Sequence, residues 1–264
     1  MEFKLNGRTE TYSGDGEVSL LDYLRNDADI ITAKKGCNDE AACGCCSVEM
    51  NGKGVLACVT KMKRVPGADI VTIDGLENKL QETFADAFLE KGGIQCGFCI
   101  PGFVMQAKVL LDNNPDPSRE EVVKALNKNL CRCTGYVKIV DSVLEAARSI
   151  REGTPVARGD TSGKVGARYR KYECGTATLG FRPYVDDMKK AGMLHAALKL
   201  SDHPRAKVVS IDTSKAEAVP GVARVFTADD IPGERVIGLI VQDWPIMVLT
   251  GEETRYIGDV LAEW

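Results

Sequence analysis

Apolar residues recur at helical spacing in three consecutive stretches of the chain, at residues 100–111, 122–130 and 137–150. Steps of three and four residues place such side chains on one face of a helix, so the pattern predicts three amphipathic helices. Pro101 suits a first helical turn, and the spacing of Ser118 and Glu121 is that of a capping box. The middle of the chain is therefore expected to be all-α.

The first 76 residues carry a different pattern, with short runs in which apolar and polar residues alternate. Phe3 and Leu5 lie on one side of a predicted strand, and Asn6-Gly7 is a tight-turn signal for a hairpin. Further strands are predicted at residues 55–59 and 70–73, and a short helix at residues 18–24 with Ser19 as a candidate cap. We expect a small β-rich domain here.

The pattern changes again after residue 152. Residues 153–180 are rich in Gly, Thr and Arg and have the composition of a linker. From residue 181 onward, apolar runs with turn signals between them predict strands and short helices. The strands are expected at residues 193–200, 206–212 and 222–227.

Composition narrows the class of protein. A chain of 264 residues is long enough for about two domains, and its net charge of −4 without a basic run argues against a nucleic-acid surface. The N-terminus is no signal peptide, and no apolar run approaches the roughly 18 residues of a membrane span. The chain is expected to be cytoplasmic, away from membranes. Ten cysteines without an export signal favour metal ligation over disulfides.

One set of cysteines borders the predicted helices. Cys96 and Cys99 form a close pair ahead of one helix, and Cys131 and Cys133 form another ahead of the last. Free N–H groups and the positive dipole end at a helix N-terminus stabilise negative thiolate sulfur. The two pairs can supply four thiolates to one metal centre.

A second set lies in the β-rich domain. Its ligands are predicted to be Cys37, Cys43, Cys46 and Cys58, in a C-x5-C-x2-C spacing with a distant fourth cysteine. Plant-type [2Fe-2S] ferredoxins use C-x4-C-x2-C, one residue shorter. Cys45 is a spare thiol that would ligate only if the register slipped, so a bystander role is favoured.

These motifs carry a family resemblance over nearly the whole chain. C-x5-C-G-x-C with Cys58, followed by Q-C-G-F-C-I-P-G from residue 95 and C-R-C-T-G-Y from residue 131, resembles the N-terminal half of the xanthine dehydrogenase and aldehyde oxidoreductase family of molybdenum hydroxylases. Residues 192–230 resemble the opening of the α/β hammerhead domain of the same family.

The resemblance implies an α+β protein in four parts. These are a β-grasp [2Fe-2S] ferredoxin domain (residues 1–76), an all-α four-helix-type [2Fe-2S] bundle (77–152), a linker (153–180) and an incomplete α/β hammerhead domain (181–264). Because the chain ends inside that last domain, it is expected to be a fragment or to be completed by another chain.

The resemblance also implies site residues and partners. Cys37, Cys43, Cys46 and Cys58 would hold an outer cluster, and Cys96, Cys99, Cys131 and Cys133 an inner one. Gln95 and Cys133 would approach a molybdopterin bound mostly by residues outside this chain, and no residue here is assigned a catalytic role. With no flavin domain between the iron-sulfur and hammerhead parts, a separate FAD subunit or another acceptor is expected, in an oligomeric complex.

The substrate expectation also rests on resemblance. Residues 243–245 and 251–256 look most like purine or xanthine dehydrogenases of anaerobic bacteria, with aldehydes as the alternative. A freestanding ferredoxin-like carrier is another possibility, although residues 181–264 argue against it.

Other readings of the cysteines and histidines stay open at this point. Two structural zinc sites would also use C-x2-C pairs, although a C-x-C pair after a long insertion matches zinc fingers poorly. His195 and His203 are expected to be structural, and Cys174 to be an inert loop residue. Residues 186–187 and 229–230, both Asp-Asp, are expected to be caps or solvated turns.

Overall fold

The structure, a computed structural model, describes residues 1–167 and 169–264. It divides after Met188 into two compact units, residues 1–188 and residues 189–264. Each unit is described by itself below.

A mixed sheet opens the first unit. Its strands are β1 (Glu2–Leu5), β2 (Arg8–Thr11), β3 (Ser47–Met50), β4 (Lys53–Leu56) and β5 (Asp69–Val71), in the order β2-β1-β5-β3-β4. Strands β1 and β5 run parallel, and the other neighbours are antiparallel. The predicted Asn6-Gly7 turn joins β1 to β2 with positive φ at both residues, as a type I′ turn requires.

Helix α1 (Leu20–Asn26) covers this sheet and completes its core. Ser19 caps the helix by accepting a hydrogen bond from the Asp22 N–H, as the sequence predicted. The buried residues Leu20, Leu21 and Leu24 of α1 join Phe3 and Ile70 of the sheet in one apolar cluster. This arrangement holds the loop between α1 and β3 against a rigid support.

A helical bundle follows the sheet. Its helices are α2 (Asn78–Lys91), α3 (Ile100–Asn113), α4 (Arg119–Leu126) and α5 (Val137–Glu152). The three helices predicted from apolar spacing are present, and α2 precedes them. Both hydrogen bonds of the Ser118 capping box form. Phe84, Phe88, Phe103 and Ile139 lie at the centre of the bundle, and all four are fully buried.

The predicted linker, residues 153–180, belongs to the first compact unit, which continues to Met188. Arg170 pairs with Asp86 and Glu90 of α2 at 2.6 and 2.7 Å. The helix α6 (Cys174–Thr178) also packs in the bundle core, so Cys174 is a buried helical residue and not a loop residue. Arg168 lies outside the described residues.

The second unit contains short antiparallel strands. They are β6 (Leu198–Leu200), β7 (Phe226–Thr227), β8 (Val236–Ile237), β9 (Trp244–Pro245) and β10 (Val260–Glu263), with the short helix α7 (Ser214–Glu217). Strands β6, β10 and β7 form one sheet, and β8 pairs with β9. The buried Asp259 carboxylate accepts hydrogen bonds from the N–H groups of Arg255 and Tyr256 and fixes the turn before β10.

The strands predicted in this unit are only partly present. Residues 206–212 form an isolated bridge between Lys207 and Glu253 instead of a strand, and residues 193–197 and 222–225 stay outside the sheet. Val208 is buried and its backbone is hydrogen-bonded to Gly251 and Glu252, whereas Val209 is largely exposed. Strand preference in the sequence does not by itself extend this short pairing into a strand.

Within the part of the chain that the structure describes, none of the helices has the length and apolar character needed to cross a bilayer.

Candidate metal centre

Three of the four predicted outer ligands, and Cys45, occupy the loop between α1 and β3, and the fourth predicted ligand follows β4. Cys43, Cys46 and Cys58 are buried, and Cys37 is half-buried. The Cys37 thiol contacts that of Cys43, and the Cys46 thiol contacts that of Cys58. The four predicted ligands therefore meet as two pairs on one side of the β-rich domain.

The longer spacing between Cys37 and Cys43 is taken up by a tightly wound backbone. Asn38, Asp39 and Ala41 all have positive φ, which residues other than glycine seldom adopt. This coiling gives the extra residue a place without carrying Cys37 away from Cys43. The departure from the shorter ferredoxin spacing is therefore compatible with paired thiols.

Backbone N–H groups of the loop point at the Cys37 sulfur. Burial alone would raise the pKa of Cys37, but hydrogen bonds from the N–H groups of Ala42 and Cys43 lower it below the ordinary value. Deeper in the loop, burial raises the pKa of Cys46 to about 12. A metal cation that binds the sulfur displaces this proton, so metal binding at this site releases protons.

The second set of thiols lies at the N-terminal ends of α3 and α5. Cys99 is the N-cap residue of α3, and its thiol contacts that of Cys131. Cys96 and Cys133 form the other pair, with 3.8 Å between their Sγ atoms. Cys99 and Cys131 are buried whereas Cys96 and Cys133 are exposed, so this site has one edge at the surface of the unit.

The 3.8 Å between the Cys96 and Cys133 sulfurs fits two ligands of one metal ion, because a tetrahedral metal with metal–sulfur bonds of about 2.3 Å separates two of its sulfur ligands by about that distance. A two-iron cluster held by four thiolates, two per iron, requires two such pairs. Among the described residues, no three His, Cys, Asp or Glu side chains converge on one point, and all ten cysteines carry free thiols.

The two sets of thiols are joined by direct hydrogen bonds. The Leu130 N–H donates to the Cys43 carbonyl at 2.9 Å, and Leu130 precedes the inner ligand Cys131. The Asn129 Nδ2 donates to the Gly44 carbonyl, also at 2.9 Å. Gly102 permits this approach, because a Cβ there would lie 2.3 Å from the Gly44 oxygen.

Cys45 lies at this junction. Its buried thiol is 3.8 Å from the Cys43 carbonyl oxygen, and a Cβ on Gly36 would touch the sulfurs of both Cys43 and Cys45. Burial raises the pKa of Cys45, and the nearby Cys43 adds to the rise. The Cys45 thiol contacts that of Cys43, so Cys45 lies beside the outer set of thiols.

Gln95 and Cys133, the expected pterin contacts, lie together at the exposed edge. The Gln95 Nε2 donates to the Cys133 carbonyl at 2.9 Å. Two residues that the sequence did not indicate also act on this loop: Lys171 Nζ donates to the Gln95 carbonyl, and the Tyr184 hydroxyl donates to the Cys96 carbonyl. Lys171 lies in the predicted linker and Tyr184 at the start of the predicted hammerhead domain, 76 and 88 residues from their partners, so no local motif could have shown them.

The paired aspartates of residues 186–187 do more than cap a turn. Asp187 accepts a hydrogen bond from the Tyr184 N–H, as a cap does, but it is also buried and paired with Lys34 and Arg25 at 2.8 and 2.7 Å. Asp230, by contrast, only caps the turn at Thr227 and pairs with Arg224 near the surface. His195 and His203 are exposed residues of irregular segments, not strand residues.

Comparisons with known proteins agree with this architecture. Three family profiles match: a 2Fe-2S iron-sulfur cluster binding domain at residues 8–82, a [2Fe-2S] binding domain at residues 72–144, and the a/b hammerhead domain of aldehyde oxidase and xanthine dehydrogenase at residues 180–263. The chain therefore carries two [2Fe-2S]-binding domains and a hammerhead domain.

Individual relatives show the same division. The aldehyde oxidoreductase of Megalodesulfovibrio gigas is 38% identical over 98% of this chain and 30% of its own length. The nicotine 6-hydroxylase small subunit of Paenarthrobacter nicotinovorans is 41% identical over 57% of this chain and 90% of its own length. A solved structure of the aldehyde oxidoreductase from Desulfovibrio gigas superposes with a TM-score of 0.88 at 36% identity, covering 100% of this chain and 31% of that one.

Coverage differs between these two kinds of relative. This chain spans less than a third of the aldehyde oxidoreductase, but its first half matches almost the whole of the small subunit.

Proposed function

The chain belongs to the xanthine dehydrogenase and aldehyde oxidoreductase family, and on that basis we propose that it is the electron-transfer portion of a molybdenum hydroxylase. Each [2Fe-2S] cluster, when bound, accepts and releases one electron at a time. Two such centres in series suit an oxidation that releases two electrons. The observation that carries the proposal is the pair of four-thiol sites joined by direct hydrogen bonds within one unit.

The proposed ligands follow from the thiol pairs. Cys37 and Cys43 hold one iron of the outer cluster, and Cys46 and Cys58 hold the other. In the inner cluster the pairs are Cys96 with Cys133 and Cys99 with Cys131. The loop N–H groups around Cys37 stabilise the negative charge of its thiolate, whereas burial raises the pKa of Cys99, so that metal binding there must displace its proton.

The two sites differ in how they meet their surroundings. The exposed Cys96 and Cys133, with Gln95 hydrogen-bonded to the latter, form the edge proposed to face a molybdopterin held by another domain or subunit. The hydrogen bonds from Asn129 and Leu130 to the outer loop keep the two clusters at a fixed separation. The remaining partner is proposed to be a FAD subunit or another acceptor at the outer cluster.

Two substrate classes are candidates. Aldehydes are supported by the match of the whole chain, both iron-sulfur parts and hammerhead together, to an aldehyde oxidoreductase. A purine or xanthine-type N-heterocycle is the other candidate, from the sequence of residues 243–256. We place the protein in the cytoplasm, where thiols stay reduced and available to iron.

Anaerobic purification from the native source tests the proposal. We expect about four iron and four sulfide per chain, two distinct [2Fe-2S] EPR signals, and co-purifying molybdenum. Reduction of the clusters by an aldehyde or by xanthine then identifies the substrate. Clusters without molybdenum or a partner would instead indicate a freestanding carrier, and zinc without sulfide would refute both readings in favour of structural zinc sites.

A further inference from the structure

We propose that Lys171 and Tyr184 are positioning residues of the inner cluster, which hold the backbone of its exposed ligand loop and raise its reduction potential. The inference rests on the proposed function, since it needs a cluster between Cys96, Cys99, Cys131 and Cys133. It adds residues from a segment, 169–188, that carries no cluster ligand. That segment is called the strap below.

The strap donates to two successive carbonyls of the ligand loop. Lys171 Nζ donates to the carbonyl of Gln95, and the Tyr184 hydroxyl donates to the carbonyl of Cys96 at 2.6 Å. The Tyr184 ring also packs edge-to-face on Phe98, with 5.1 Å between ring centroids. The loop around the most exposed ligand is therefore held by side chains from outside the bundle helices.

Gly97 makes this contact close. It has a φ of +91°, and a Cβ there would lie 3.0 Å from the Tyr184 hydroxyl oxygen and 3.0 Å from the Ala177 Cβ. The loop thus fits against the strap on both sides of Cys96. A loop so fitted has little freedom to move the thiol of that residue.

The strap is itself fixed to both iron-sulfur parts of the unit. Arg170 forms ion pairs with Asp86 and Glu90 of the bundle helix α2. At the other end, Asp187 pairs with Lys34, which lies three residues before the outer ligand Cys37, and with Arg25 of α1. Lys171 and Tyr184 lie between these two attachments, so their positions are set by rigid elements.

The electrostatic effect has a definite sign. Reduction of a cluster adds one negative charge, and hydrogen bonding, net charge and exposure around the sulfurs set the potential. The Lys171 ammonium and the Tyr184 O–H dipole both point toward the ligand loop and favour the more negative, reduced state. Removing either donor therefore lowers the reduction potential of the inner cluster and leaves the outer cluster unchanged.

The test uses the full chain, produced anaerobically with its clusters, and an EPR-monitored redox titration that follows each cluster separately. Tyr184→Phe removes only the hydroxyl, and Lys171→Gln removes the positive charge and replaces the ammonium with a shorter, neutral amide. Matched controls on the same part of the chain are Tyr172→Phe, whose residue is 81% exposed, and Lys164→Gln, also at an exposed position. Lys171→Arg keeps the donor and should restore the wild-type potential.

The expected result is a lower inner-cluster potential in Tyr184→Phe and Lys171→Gln, with iron content, outer-cluster potential and both controls as in the wild type. If Tyr184→Phe loses its inner cluster, the reduction potential of that cluster can still be measured in Lys171→Gln, because Lys171 is exposed. Unchanged inner potentials in cluster-loaded variants, or equal shifts of both clusters, would overturn this inference alone. A wild-type chain without iron and sulfide would overturn the proposed function, and this inference with it.

Discussion

Asp187→Asn tests whether one buried carboxylate holds the strap to the outer-cluster domain. The Asp187 side chain is 2% exposed, and it neutralises both Lys34, which is fully buried, and Arg25. An asparagine keeps the shape and the hydrogen bond from the Tyr184 N–H but not the charge. The variant leaves the fully buried Lys34 ammonium without its carboxylate partner, whereas Arg25 keeps the Ala33 carbonyl and Asp186.

The magnitude follows from the burial of this group. Removing one partner of a buried ion pair costs about 3–5 kcal/mol, because the remaining charge is left uncompensated. For a unit of this size that corresponds to a fall in melting temperature of roughly 6–20 °C. Lys34→Met should cost less, because Arg25 still neutralises Asp187 at 2.7 Å.

The pH dependence gives the prediction a sign. Burial would raise the pKa of Asp187, but hydrogen bonds with Lys34, the Tyr184 N–H and Arg25 outweigh it and hold the pKa below its usual range. The stabilisation from a carboxyl with a lowered pKa is present above about pH 4 and is lost as the pH falls through its folded pKa. The deficit of the variant should therefore disappear in acid.

At alkaline pH the deficit should shrink for a different reason. Burial lowers the pKa of Lys34 and the bond to Asp187 raises it, with burial the larger effect. In Asp187→Asn the pKa of Lys34 falls further, so the folded state binds fewer protons than the unfolded state, whose lysine titrates near pH 10.4. The free energy of unfolding of the variant then rises with pH between the folded pKa of Lys34 and the pKa of an unfolded lysine.

Urea unfolding of the full chain, followed by helical circular dichroism at several pH values, measures these differences. The matched control is Asp186→Asn, since Asp186 is adjacent but 80% exposed and 3.9 Å from Arg25. It should change stability by less than about 1 kcal/mol. Equal effects of the two substitutions, or a deficit in Asp187→Asn that grows as pH rises above neutrality, would refute the reasoning.

Three further predictions concern the ligands, the junction and the bundle. Cys37→Ser should abolish the outer-cluster EPR signal while Cys45→Ser keeps both signals, and equal loss in the two variants would contradict the ligand assignment. Gly102→Ala should lower the free energy of unfolding of the first unit in urea by about 1–3 kcal/mol, because its Cβ would meet the Gly44 oxygen at 2.3 Å. The control Gly175→Ala places its Cβ in open space within α6 and should be neutral or stabilising. A larger loss of stability in Gly175→Ala than in Gly102→Ala would argue against the close approach. Ser118→Ala should cost about 1 kcal/mol in thermal or urea unfolding through loss of the α4 cap, and no change would show that the capping box is dispensable.

Local signals along the chain were strong enough to predict the elements around the ligands. The stripe of residues 100–111, Pro101 and the capping box at Ser118 gave the ends of α3 and α4, because a helix start depends on neighbours within one turn. Cysteine spacing likewise indicated both four-thiol sets, since a metal loop is a short segment. The assignment of those thiols as ligands stays a prediction for the metal analysis.

Structure that depends on partners far away in the sequence was predicted less well. Residues 206–212 have the composition of a strand but form only a bridge, because a strand depends on cross-strand neighbours that only the tertiary structure supplies. Residues 153–180 have the composition of a linker, but the first unit includes them and continues to Met188. Arg170 and Asp187 are held by Asp86, Glu90 and Lys34, which lie far away in the sequence, so nothing nearby specifies those pairings.

The sequence by itself thus determined the order of the domains, the helices next to the ligands and which cysteines could bind metal, because each of these follows from contacts within a few residues. Only the tertiary structure decided how the thiols pair, that Cys43 and Leu130 share a hydrogen bond, and that Lys171 and Tyr184 reach the inner loop. The hydrogen bonds made by Leu130, Lys171 and Tyr184 join residues about 76 to 88 positions apart, and the free energy that selects them comes from burying charge and polar groups with their partners across the whole unit.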